Sequence, residues 1–200
     1  MSLFPYDFSL NLLPYQGEVY YMGVIFSIEE SNLFYENILA ETSFVNDEAI
    51  LFGKHLITKR KVAWYGDKEF SYHYSGTIKK AVPWSNTLFR LKNLIESRTQ
   101  ISFNSCLINL YHDGDEGMGW HSDDEKSLGL NTVIASVSLG AERKFSFRHK
   151  DTKETITLLL ERGSLLLMKG ETQTHWQHSV PKMRKVIHPR INLTFRRFIA

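Results

Sequence analysis

Residues 132–170 read TVIASVSLGAERKFSFRHKDTKETITLLLERGSLLLMKG. In the first run Val133, Ala135, Val137 and Leu139 alternate with Ile134, Ser136 and Ser138, the period of two that sends successive side chains to opposite faces of a strand. RKFSFRHK follows at once, then ETITLLL and SLLLMKG, and the ERG between the two leucine runs reads as a hairpin turn. Working outward, SFNSCLINLY (102–111) and RINLTFRRF (190–198) have the same short, β-rich character. Closely spaced strands without intervening helices predict an antiparallel sandwich or jelly roll.

The chain changes character near residue 85. EESNLFYENILAE (29–41) and SNTLFRLKNLIESR (85–98) carry apolar residues at three-to-four spacing and predict amphipathic helices, the second buried through Leu88, Leu91, Leu94 and Ile95. YYMGVIF (20–26) and AWYGDKEFSYHYSG (63–76) read as irregular, aromatic-rich segments. The expected fold is therefore mainly β with α. It is a single domain over 1–200, with an N-terminal helical and irregular portion over about 1–85 and a jelly-roll core over about 86–200.

Composition narrows the class. The 200 residues are 42% hydrophobic, enough for a core, and no apolar run approaches the ~20 residues that span a bilayer. The amino terminus, MSLFPYDFSL, lacks a basic region followed by an apolar stretch, so a soluble protein without membrane association is expected, cytoplasmic or, in a eukaryote, nuclear. Cys106 is the single cysteine, which excludes an internal disulfide and fits a reducing compartment. A net charge of +2 excludes a polycation, although KHLITKRK (54–61) gathers Lys54, Lys59, Arg60 and Lys61 where phosphates could be met.

The chemistry concentrates in WHSDDEKSLG (120–129). In an extended segment His121 and Asp123 project to one side, while Ser122 and Asp124 point away. HWQHSVP (175–181) offers His175 and His178, and spacing does not choose between them. Two histidines and one carboxylate form the facial triad of non-haem Fe(II) oxygenases. In PRINLTFRRF, Arg190, Asn192, Thr194 and Arg196 share one strand face, and Asn109 and Tyr111 share a face of INLY. Two arginines on an inward face need anionic partners, and a dicarboxylate would serve both. No HExxH occurs, and DGDEG lacks the ligand spacing of a calcium loop.

Together these motifs, NxY, WHSDDE, WQHxVP and RxNLTFR, resemble those of the AlkB family of Fe(II)- and 2-oxoglutarate-dependent nucleic-acid dealkylases, from about KRKVAWYGD to the carboxy terminus. The resemblance implies a double-stranded β-helix core with an N-terminal nucleotide-recognition lid. It makes His121, Asp123 and His178 the iron ligands. Arg190 would pair with the far carboxylate of 2-oxoglutarate, aided by Tyr111 and Asn192, with Asn109 and Arg196 nearer the metal. Glu125 would meet the exocyclic amino group of the damaged base, Tyr72 and Tyr74 would belong to the lid, and Phe52 would be the wedge of a finger entering the base stack.

The implied activity is oxidative dealkylation of bases such as 1-methyladenine and 3-methylcytosine in DNA, releasing formaldehyde, succinate and CO2, by a monomer acting in direct-reversal repair. Relatives with the same iron site act on RNA or protein, and these are the alternative substrates. A non-catalytic jelly-roll module would be expected to have lost a ligand or an arginine, and none is missing.

Overall fold

The computed structural model describes residues 10–51, 54–74 and 77–199. In chain order it runs β1 (Glu18–Val24), α1 (Ile28–Glu41), β2 (Val45–Leu51), β3 (Lys54–Gly66), β4 (Ser71–Tyr74), β5 (Thr77–Lys80), β6 (Val82–Pro83) and α2 (Asn86–Thr99). Then follow β7 (Ser105–Tyr111), β8 (Met118–His121), β9 (Ile134–Gly140), β10 (Arg143–His149), β11 (Thr155–Leu160), β12 (Ser164–Lys169), α3 (Thr172–His175), β13 (Trp176–Val180) and β14 (Arg190–Arg196). A major sheet in the order β1-β12-β9-β14-β7-β3-β2 faces a minor sheet in the order β11-β10-β13-β8, and β4 and β5 form a separate ribbon. This is the jelly-roll arrangement that the strand pattern predicts.

Parity along the major sheet decides what lies where. Ile108, Leu110, Ala135, Val137, Leu139, Ile191, Leu193 and Phe195 share its outer face, packed with Phe34 and Ile38 of α1 and Leu88, Leu91 and Ile95 of α2. The other face looks into the sandwich, where Val19, Leu166 and Met168 meet Phe145, Phe147, Leu160 and Trp176 of the minor sheet. The helices are well begun: Ser27 and Glu30 form a capping box at α1, and the Ser85 side chain accepts from the backbone N–H of Leu88 at α2.

Three sequence readings are corrected. Leu94 is 42% exposed, so the buried apolar side chains of α2 are Leu88, Leu91 and Ile95. The segments read as irregular are strands in large part: β1 holds 18–24, and β3 extends to residue 66, both within the major sheet. The ERG turn does not close a hairpin, because β11 pairs with β10 in the minor sheet while β12 pairs with β1 and β9 in the major one. Gly163, at φ +75°, explains the crossing: its N–H donates to Ser138 O (2.7 Å) and its carbonyl accepts from Ile25 N (2.9 Å), so the turn is tied to β9 and to the segment after β1.

Among the described residues, no helix is long and apolar enough to cross a membrane.

Candidate active site

Antiparallel pairing of β13 with β8 sets His178 directly opposite His121, their ring centres 4.2 Å apart. Strand β8 ends at His121, so Asp123 is placed by the following loop rather than by strand alternation. Its backbone N–H donates to Gln173 Oε1 at 2.9 Å, and its carboxylate accepts from Arg196 Nη2 at 2.6 Å. Ligand atoms of His121, Asp123 and His178 all lie within 4.8 Å of one another. His175 sits on α3 instead, beside Glu171 and stacked on His149. Ser122 turns to donate to Trp176 O at 3.0 Å, and Asp124 is exposed near Lys150.

The electrostatics suit a cation. Burial pushes the His178 imidazole down to about 3, so it is neutral, the form that ligates metals. Burial acts to raise the Asp123 carboxyl, but the Arg196 guanidinium and the two histidines outweigh it and hold the group below the usual carboxylate range. Asp123 therefore stays ionised within the interior.

The inner face of β14 continues this site. Asn192, Thr194 and Arg196 line the same cavity as His121, Asp123 and His178, together with Asn109 and Tyr111 of β7. Register explains the gathering: Arg190 pairs with Tyr111, Asn192 with Asn109 and Arg196 with Ser105. Arg190 is 1% exposed, and its Nη2 donates to Ser138 Oγ at 3.0 Å, while its Nε and Nη1 have no hydrogen-bond partner. Burial lowers its guanidinium to about 10. The Tyr111 ring lies 5.6 Å from both the Arg190 and the Arg143 guanidinium carbons. Asn192 Nδ2 donates to Ser136 Oγ (2.8 Å) and to Val137 O (3.1 Å) on β9.

Glu125 follows the end of β8, not its continuation, yet it also lines the cavity, with Oε2 buried and unpartnered. Burial is the main cause that pushes its carboxyl up. Phe52 lies outside the described residues. Tyr72 and Tyr74 fall within β4, and their side chains lie outside what the structure describes. Sequence reasoning missed Gln173, which has no motif of its own. It also missed Asp47 and Arg60, which line the cavity as well. The serines of TVIASVSLG carried a usable signal, since their alternation aimed Ser136 and Ser138 inward.

Comparison with known proteins fits this geometry. The pattern of the 2OG-Fe(II) oxygenase superfamily matches residues 18–196. The DNA oxidative demethylase ALKBH2 of Bos taurus is 45% identical over 157 residues, covering 74% of this chain and 56% of the relative. ALKBH2 of Homo sapiens is 38% identical over 187 residues, covering 88% and 72%. The solved structure of OsALKBH1 superposes with a TM-score of 0.62 at 16% identity, over 90% of this chain and 97% of that one, a likeness of fold. The chain thus spans little more than half of the bovine relative and nearly three quarters of the human one.

The fold and the site define a 2-oxoglutarate-dependent Fe(II) oxygenase. Within that superfamily the chain belongs to the AlkB family. Its cofactors are Fe(II) and 2-oxoglutarate, and the residues present fit both: a 2-His-1-carboxylate set for the metal, and a buried guanidinium with two unpartnered nitrogens for a carboxylate.

Proposed function

We propose that this chain oxidatively dealkylates N-alkylated bases in DNA, of the 1-methyladenine and 3-methylcytosine type, in direct-reversal repair. The observation that carries the reading is the convergence of the His121, Asp123 and His178 ligand atoms beside a strand face that ends in the buried Arg190. His121, Asp123 and His178 hold the iron. Arg190, with Tyr111 packed on it and Asn192 bordering the same face, takes the far carboxylate of 2-oxoglutarate, and Asn109 and Arg196 lie nearer the metal. When bound, Fe(II) and 2-oxoglutarate would supply the oxidising chemistry with O2 as the oxidant, one oxygen atom ending in succinate and the other in formaldehyde, with CO2 released from the cosubstrate.

The protein's own contribution is placement. Gln173 and Arg196 fix Asp123 from its backbone and its carboxylate oxygen. Phe145 stacks on the His178 ring at 5.4 Å and keeps the inner wall apolar, which excludes water from the reacting centre. Glu125, pushed toward protonation at the cavity wall, faces the damaged base. An alkyl group on the Watson–Crick edge already weakens pairing, so such a base is extruded at lower cost. Phe52, Tyr72 and Tyr74 act as finger and lid. The chain works as a monomeric single domain, in the cytoplasm or, in a eukaryote, the nucleus.

The test is incubation of methylated single- and double-stranded DNA, methylated RNA and a methylated peptide with Fe(II), 2-oxoglutarate and ascorbate. The DNA substrates lose the methyl mass fastest. Turnover of RNA or peptide with unchanged DNA would reassign the substrate.

A further inference from the structure

The basic run TKRK (58–61) does not stay together in the fold. Lys59 is exposed, but Arg60 is only 6% exposed and faces the cavity of the metal triad. The cause is an irregularity in the β2–β3 ladder: Asn46 pairs with Lys61 and Glu48 with Ile57, so Asp47 stands opposite three residues, Thr58, Lys59 and Arg60. Such a bulge re-aims a side chain. This one is braced by Asn46 Nδ2 donating to Thr58 O and by Thr58 Oγ1 donating to Arg60 O, both at 2.8 Å.

Inside, Arg60 Nη2 donates to Asp47 Oδ2 and Arg60 Nη1 donates to Asn109 Oδ1. Asp47 is 5% exposed and Asn109 7%, so the bridge is buried from end to end. A buried guanidinium needs a counter-charge, and Asp47 supplies it. A guanidinium only donates, so the Asn109 amide is fixed with its oxygen toward Arg60 and can offer the rest of the cavity only N–H donors. An anionic ligand in that cavity meets the favourable side of the amide.

We infer that Asp47 and Arg60 are positioning residues for the cosubstrate: they set the Asn109 amide for an anionic oxygen of 2-oxoglutarate and tie hairpin β2–β3 to that pocket. The inference rests on the reading of Asn109 as a 2-oxoglutarate contact. Strands β2 and β3 are thereby linked mechanically to cosubstrate binding.

The test is calorimetric titration of 2-oxoglutarate into the full chain loaded with Mn(II), for the wild type, Asp47→Ala, Asp47→Asn, Asp47→Glu, Asn109→Ala and the Asp47→Ala/Asn109→Ala double variant. Loss of one charge-assisted link is expected to weaken 2-oxoglutarate binding about tenfold in Asp47→Ala. Mn(II) affinity is unchanged, Asp47→Glu recovers part of the loss, and Asp47→Ala adds nothing in the Asn109→Ala background. Asp47→Asn keeps the shape and removes the charge, so it serves if the alanine variant does not fold, and it too binds more weakly. Wild-type affinity in Asp47→Ala or Asp47→Asn, or full additivity in the double variant, overturns the inference while leaving the proposed function standing. A wild-type chain that binds Mn(II) but no 2-oxoglutarate overturns both.

Discussion

Arg196 Nη2 donates to Asp123 Oδ2 at 2.6 Å, joining the last strand of the major sheet to the carboxylate of the metal triad. In the metal-free chain this guanidinium is the nearest compensation for a carboxylate that is 5% exposed. Breaking a buried pair from one side costs about 3–5 kcal/mol, roughly 10 °C in Tm for a chain of this size. Arg196→Ala is therefore expected to melt lower without metal and to gain more from added Mn(II) than the wild type does, because the cation takes over the missing charge. Thermal melts with and without Mn(II) check this; equal metal-induced shifts would contradict it.

Arg190 should show the opposite balance between stability and function. Its Nε and Nη1 are buried without partners, so the side chain is costly until an anion arrives. Arg190→Met is expected to melt at or above the wild-type temperature. Its 2-oxoglutarate affinity should fall about thirtyfold or more, the scale of losing one partner of a buried charge pair. A Tm loss as large as that of a core truncation would argue that Arg190 is a structural residue.

Helix α2 offers a control within one turn. Leu91 is fully buried against the major sheet, whereas Leu94 is 42% exposed. Leu91→Ala should cost about 2–5 kcal/mol in urea unfolding, and Leu94→Ala should stay within about 0.5 kcal/mol.

Cys106 is fully buried in β7, and burial pushes its thiol well above the usual range. A thiol reagent at pH 8 should leave the native chain unlabelled and react fully in guanidinium chloride. Rapid labelling of the native chain would contradict the packing of β7 against the helices.

What could be read in the sequence was whatever depends on local period or on a compact motif. The alternation in RINLTFR separates Arg190, Asn192, Thr194 and Arg196 from Ile191, Leu193 and Phe195, and β14 divides in that way, with Asn192, Thr194 and Arg196 lining the cavity, Arg190 buried on the same face, and the apolar three in the core. The two helices lie within a residue of their expected spans. Hidden features were those decided by distant partners. The ERG turn looks like a hairpin locally, and partners far away in sequence, Ser138, Ile25 and Phe26, make it a passage between sheets. Leu94 obeys the helical period but stays 42% exposed. Arg60 looks like one of four solvated cations until the β2–β3 bulge turns it inward onto Asp47. Asp123 reaches the site by a loop, so the even spacing of His121 and Asp123 pointed to the right pair, although strand geometry is not what holds the second of them.

The most direct measurement is mass spectrometry of a 1-methyladenine-containing DNA strand incubated with the chain, Fe(II), 2-oxoglutarate and ascorbate, comparing the wild type with Asp123→Ala and His178→Ala folded to the same extent. The wild type should convert the base to adenine with matching succinate formation, and both variants should form neither product. Unaltered DNA with a folded, iron-loaded wild type, or undiminished conversion by either variant, would contradict the account.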